Sequence, residues 1–339
     1  MTNHTRDRSN TPKSTERGWL AGFAWVLFGA AYGVLVRFVF GVLPQWLPVD
    51  GVMSAAFLLG TPFVIGAITV YGRRHEGPSL SYMIFGPWAT VGLMMVGCAI
   101  TLLEGSICIA LMSPLFLFCG SAGGLVMGVL LYFGRPGRNH VGAFAVLPFL
   151  VLIAESFAPL IDADAEIRDS VIIDADPQTV WEEIMTAESI HADELPLSLA
   201  HMIGVPKPVE GVNRMTPDGE IRYSRWERGV RFEARVSERR LHETIRWHYA
   251  FDAHSFPEGS MDEHVEIGGE FFGLEDTTFN LTALPGNRTE LEIIAHYRVS
   301  SSINFYAVPV AKVLGRDFVN TILGLYKGRS EVRAGEART

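Results

Sequence analysis

Asp169-Ser-Val-Ile-Ile-Asp-Ala-Asp-Pro177, followed by Gln178-Thr-Val-Trp-Glu-Glu-Ile-Met185, changes hydrophobic period at a single point. The first seven residues read as a strand. Asp176 then offers a helix cap and Pro177 a first-turn proline, so a helix starts without an intervening loop. Downstream, past a Pro-rich stretch through Pro206 and Pro208, alternating runs recur at 220–226, 231–238, 243–251, 263–272, 277–283 and 289–299. Turn signals separate them: Gly229, the 254–259 segment, 273–276 and Pro285-Gly286-Asn287. This pattern predicts an antiparallel meander. A helical period then runs over 303–326, apolar at Phe305, Val308, Val313, Phe318, Ile322 and Leu325. A strand, short helices, a six-stranded meander and a long C-terminal helix make an α+β helix-grip domain, assigned to 169–330, with 331–339 expected as a disordered tail.

The run Ser170-Val-Ile-Ile-Asp-Ala-Asp-Pro177 with Val180-Trp181, together with the terminal 311–326 helix, resembles the START-like (SRPBCC) superfamily of polyketide cyclase/dehydrase and lipid-transfer domains. The resemblance spans about 167–330. It implies a sheet wrapped around the C-terminal helix and a hydrophobic ligand, but no particular chemistry, because one fold hosts many functions.

Before residue 162 the solvent changes. Nine of the 28 basic residues and six of the 37 acidic ones lie there, in otherwise uninterrupted apolar sequence. About 20 apolar residues cross a bilayer core, and the runs predict an α-helical transmembrane bundle of about five spans at 18–43, 52–71, 83–103, 115–133 and 141–161. Ser113-Pro114 is expected to cut off 106–112 as a short interfacial piece. The fifth span is purely apolar only to Ala154 and then meets Glu155. Residues 1–17 form a polar, mildly basic tail, and the first apolar run is too long for a signal-peptide core, so it reads as a retained anchor. The tail, Arg73-Arg74 and Arg135 with Arg138 are the basic loops, which places the N-terminus in the cytoplasm of a multipass cell (inner) membrane protein. If 141–161 crosses, the C-terminal domain is extracytoplasmic, the topology adopted here; if it lies along the surface, the domain is cytoplasmic. The acidic run 162–168 reads as a tether.

Within the bundle, Arg37, Glu104 and Glu155 are charges in apolar surroundings, which suggests either an ion-paired cluster or interfacial placement. Gly120, Gly124 and Gly128 form a small-residue ridge suited to close helix packing, inside the bundle or in a homo-oligomer.

The 19 basic against 31 acidic residues left for the second half disfavour nucleic acid as a partner. Cys98, Cys108 and Cys119 all fall in apolar segments and build no disulfide or CxxC site. The histidines form no HExxH pair and no GxSxG elbow occurs, so neither metal nor cofactor is expected. Arg231, Arg235, Arg239 and Arg240 alternate along one strand, as a solvated face or a contact for anionic headgroups.

Period-two faces put Ile245, Trp247, Tyr249 and Phe251 together, with Phe279 and Leu281, and Ile293, Ala295 and Tyr297. With Phe305 and Phe318 they are the expected walls of an apolar ligand pocket. Tyr249, Tyr297 and Asn304 are its candidate polar tips. The partners expected are the lipid bilayer and a hydrophobic small molecule of lipid, isoprenoid or polyketide type, bound or transferred. A cyclase or dehydratase using the same pocket, with catalytic residues unspecified, and a sensor coupled to the bundle remain the alternatives.

Overall fold

The computed structural model describes residues 12–42, 50–134, 138–158 and 160–337, with the side chains of 12–21 and 138–141 left aside. The chain divides into two units, the first built from residues up to 104 and from 112 to 159, the second from 105–111 and from 160 onward.

The helices are α1 (Pro12–Val42), α2 (Thr61–Gly72, entered through a π turn at Ala56–Gly60), α3 (Leu80–Ile100), α4 (Ser106–Phe133) and α5 (Arg138–Glu155). Among the described residues three stretches are long and apolar enough to cross a membrane: Gly22–Val42, Leu80–Ile100 and Ser106–Phe133. Ala56–Gly72 and Gly142–Glu155 are shorter apolar helices, so the expected five full-length spans become three with two short companions. The second span loses its start because Asp50 turns the chain, its carboxylate accepting from the N–H of Val52 and Met53 at 2.9 and 3.1 Å. The fifth stops at Glu155, short of residue 161. Conversely, Pro114 does not divide 106–133. It removes one N–H donor, and the helix continues through it. Residues 12–17 of the expected tail belong to α1. Residues 1–11 and Arg135 lie outside the described residues.

These helices leave Phe28, Leu35, Phe38, Phe118 and Phe133 exposed. Helices apolar on every side, with large side chains left outward, match a hydrocarbon surrounding better than water. Between them the contacts are the small-residue and polar kind used where burial itself drives nothing. Thr69 and Thr90 share a hydroxyl bond of 2.8 Å, Trp88 Nε1 donates to Ser121 Oγ at 2.9 Å, and Tyr32 OH donates to Ala145 O at 2.7 Å. The ridge of Gly120, Gly124 and Gly128 is filled from within the same chain: a Cβ at these positions would meet Val91, the Met83 carbonyl and the Met83 side chain respectively. It packs α4 against α3 and is not a free face for a second copy. Gly123 brings α4 onto the carbonyl of Phe63 just as closely.

The three charges of the apolar half do not form one cluster. Arg37 pairs with Glu104 and donates to Leu103 O at 2.6 Å. Glu155 instead accepts from the N–H groups of Ala55 and Ala56 at 2.7 and 3.0 Å, where free donors at a helix start attract a carboxylate.

The second unit holds β1 (Asp162–Ile173), α6 (Pro177–Met185), β2 (Thr186–Ala187), α7 (Leu199–Ile203), β3 (Pro208–Thr216), β4 (Gly219–Trp226), β5 (Arg231–Arg240), β6 (Thr244–Ala250), β7 (Phe272–Leu284), β8 (Arg288–Ser300) and α8 (Asn304–Glu336). The strands form one curled antiparallel sheet in the order β1-β8-β7-β6-β5-β4-β3-β2, with the long helix α8 against it in a helix-grip-like arrangement. Asp176 caps α6 as its sequence indicates, accepting from the Thr179 N–H at 3.0 Å and its hydroxyl at 2.9 Å.

Four boundaries differ from expectation. Residues 162–168 are not a tether but the first half of β1, paired with β8 from Asp162 opposite Ser300 onward. The alternation of Asp and Ala puts the acids outward and Ala163 and Ala165 inward, and acidic side chains guard the edge strand against pairing with other chains. The stretch 263–272 is no strand, because Gly268 takes φ +85° and its N–H closes a turn onto Phe272 O at 2.8 Å. The Pro-rich stretch opens a strand instead, with Pro208 at the first position of β3, where a missing N–H is tolerated. Finally, 331–336 continue α8 rather than fraying, with Arg333 reaching Glu182 and Glu183 of α6. Of that tail only 338 and 339 lie outside the described residues. The α8 backbone approaches β1 closely because Gly315 carries no side chain where Ile167 sits.

Candidate functional site

The sheet's inner face is built by register. Ile245 stands opposite Phe279 and Phe279 opposite Ile293; Trp247 stands opposite Thr277 and Thr277 opposite Ala295. Trp247, Phe279, Leu281, Ile293 and Tyr297 are all buried in one core with Leu323 and Tyr326 of α8. Trp247 meets Phe279 edge-on at 4.8 Å. A second aromatic group, Trp226, Phe232, Phe251 and Phe318, adjoins the first through Tyr249. Phe318 lies 5.2 Å from Trp226, ring to ring.

Two candidate wall or tip residues are displaced. Phe305 is 70% exposed, on the helix face it shares with Pro309 and Val313, and lines nothing inside. Asn304 fastens the start of α8 by donating to Ile161 O, so its amide serves the helix entrance. Both follow from α8 starting at residue 304: its first turns cross the edge strand β1, and the buried side chains begin only at Val319.

The polar atoms on this face are the informative part. Tyr249 OH donates to, or accepts from, Thr277 Oγ1 at 3.1 Å. Trp247 Nε1 and Tyr297 OH are buried without a hydrogen-bond partner among the described residues. An unpaired buried donor costs about 1–3 kcal/mol, so two in one interior call for an explanation. Burial raises the pKa of both Tyr249 and Tyr297, keeping each a neutral donor at physiological pH.

Sequence reasoning missed Arg222. Alternation along β4 sends Glu220, Arg222, Ser224 and Trp226 to one face, and the buried Trp226 marks that face as inner. The signal was present as a charge in phase with a tryptophan. Arg222 is 9% exposed, and its guanidinium carbon lies 4.8 Å over the Trp247 ring. It donates to Ile184 O at 2.7 Å, Asn213 Oδ1 at 3.0 Å and Tyr326 OH at 2.9 Å.

Helix α7 is held to α8 by Asp317, which accepts from Ser198 Oγ at 2.6 Å and from the Ala200 N–H at 2.9 Å. Partial burial alone would raise the Asp317 carboxyl, but these hydrogen bonds outweigh it and hold the pKa below the ordinary 3.8. A depressed carboxylate contributes stability that is complete above its unfolded value and lost as pH falls through the folded one. Protection of 199–203 against hydrogen exchange, measured relative to the intrinsic rate, is therefore lost as pH falls below the ordinary 3.8 and through the lower folded value. Asp317→Asn brings the same opening at neutral pH, easier by about 2 kcal/mol; unchanged exchange in that variant would refute the anchor.

Of the arginines on β5, Arg231 and Arg235 are exposed, while Arg239 pairs with Glu220 at 2.8 Å and Arg240 with Glu238 at 3.3 Å. His296 bonds Asp276 at 2.9 Å on the outer face. Among the described residues no cluster of three His, Cys, Asp or Glu is placed to hold a metal.

No family model matches the sequence, and no curated protein matches it. Solved structures do, over the C-terminal half. The Zhui aromatase/cyclase from Streptomyces sp. R1128 is 13% identical, covering 50% of this chain and 96% of its own, with a TM-score of 0.33. A START superfamily protein from Mycobacterium smegmatis is 14% identical over 49% of this chain and 97% of its own, also at 0.33. The protein Ara h 8.0201 is 11% identical over 51% and 99%, at 0.30. These are likenesses in the arrangement of sheet and helix.

Proposed function

We propose that this chain is a membrane-anchored protein whose second unit binds a hydrophobic or amphiphilic small molecule between its sheet and α8. The observation that carries the reading is the pair of buried, unpartnered donors, Trp247 Nε1 and Tyr297 OH, set among aromatic side chains. Such donors find partners when a ligand brings polar atoms into an apolar interior. Anchoring supports the same reading, since the three helices of spanning length among the described residues would hold the site near the phase in which poorly soluble molecules reside.

The test is organic extraction and mass spectrometry of the full chain purified in nanodiscs, compared with Trp247→Phe and Tyr297→Phe. A bound molecule recovered from the parent and diminished in the variants supports the reading. If the variants carry the same molecules and gain about 1 kcal/mol by losing an unsatisfied group, the donors are packing defects and the reading fails.

The compartment is part of the proposal. Arg73-Arg74 and Arg138 fall on the side of the basic N-terminal tail, which puts the second unit outside the cytoplasm if α5 crosses. A reporter fused after Arg338 that is active only in the cytoplasm would overturn that placement.

A further inference from the structure

Arg222 is a buried cation without a carboxylate partner among the described residues. Its three acceptors are neutral: a main-chain carbonyl in the last turn of α6, an amide and a phenol. Glu220, two residues before it on β4, is engaged by Asn213 Nδ2 at 3.1 Å and by the Arg239 guanidinium at 2.8 Å. Neutral acceptors and the negative end of α6 satisfy hydrogen bonds and offset part of the charge, yet an arginine held out of water without a counter-ion remains costly.

The surroundings show where a counter-ion would go. A guanidinium has five N–H donors; Nη1 makes two bonds and Nη2 one, which leaves the Nε–H and one Nη2–H without an acceptor among the described residues. An Nε/Nη2 pair of donors can meet the two oxygens of a carboxylate. Gly211 makes room for the group, since a Cβ there would overlap Nη2. The plane lies over Trp247, whose own Nε1–H is unpartnered. From this corner the inner face runs to Phe279, Ile293 and Leu281, so polar and apolar ends sit on one continuous surface.

We infer that the molecule held in this interior is an amphiphile with a carboxylate head, bound by Arg222 and oriented by Trp247, its tail lying along β6–β8. The inference rests on the binding reading above and narrows it to one chemical class. It is tested with the full chain in nanodiscs, using diazirine-bearing probes of one tail length: a fatty acid, the matched fatty alcohol and the matched alkyl phosphate, with labelled peptides mapped by mass spectrometry. The fatty acid labels β6–β8 with apparent affinity at least about tenfold above the alcohol, the worth of one hydrogen bond to a charged group. Arg222→Gln removes that preference, bringing the acid-to-alcohol ratio down to about one. Should that variant misfold, Arg222→Lys keeps the charge but not the two-donor edge and lowers the preference on its own. Equal labelling by acid and alcohol overturns the carboxylate assignment while leaving hydrophobic binding intact. Equal labelling by the phosphate also overturns it. No labelling of the sheet by any probe sinks the binding reading itself.

Discussion

Glu104→Ala lowers the stability of the helical unit by about 3–5 kcal/mol, the cost of stranding a buried charge. The Arg37 and Glu104 side chains are only 9% and 14% exposed, and among the described residues Arg37 keeps just the Leu103 carbonyl once its partner is gone. Arg37→Leu combined with Glu104→Leu recovers most of the loss, because two apolar side chains replace a pair whose attraction largely repaid its own desolvation. Thermal unfolding of the four variants in one detergent measures the cycle. If the double substitution is as damaging as the single one, the pair is more than mutual neutralisation, and a coupling role for these charges gains ground. Glu155 stands outside this cycle, since it serves the N–H groups at the start of the π turn.

Trp247→Ala costs the second unit about 3–5 kcal/mol. The side chain is 1% exposed, edge-on to Phe279 and beneath the Arg222 guanidinium. Its removal empties the row that joins β6 to β7 and withdraws the aromatic bed of a buried cation. Because the chain has two units, a single global transition is the wrong readout. Hydrogen exchange of β6 and β7 resolves the effect, with protection lost there and retained in the helices. Trp247→Phe keeps most of the packing and isolates the indole N–H. Full protection of β6 in the alanine variant would mean that the inner face does not depend on this residue.

Legibility in the sequence followed the range of the interactions. Asp176-Pro177 announced the start of α6 because a cap and a first-turn proline act within four residues. The inner-face residues Trp247, Phe279, Leu281, Ile293 and Tyr297 were readable from alternation alone, since period two needs no partner. Asn304 and Phe305 were misplaced because helical period says which residues share a face but not where along the helix the sheet begins to cover it. Residues 263–272 alternate well, yet Gly268 turns the chain and β7 takes the place beside β6. Asp162-Ala-Asp-Ala-Glu166 has poor strand propensity, and pairing with β8 overrides it. The Gly120, Gly124 and Gly128 ridge was visible, but only the packed helices show that Met83 and Val91 fill it.

The sequence by itself determined the division into an apolar helical half and an acidic half, the strand-to-helix opening and the aromatic inner face. Composition and short-period patterns are local properties, and these features depend on nothing else. The tertiary structure decided what the interior can hold. Arg222 meets Tyr326 across 104 residues of chain and Ile184 across 38, and Tyr249 meets Thr277 across 28. Such meetings depend on strand register and on the seat of α8, which no single segment specifies.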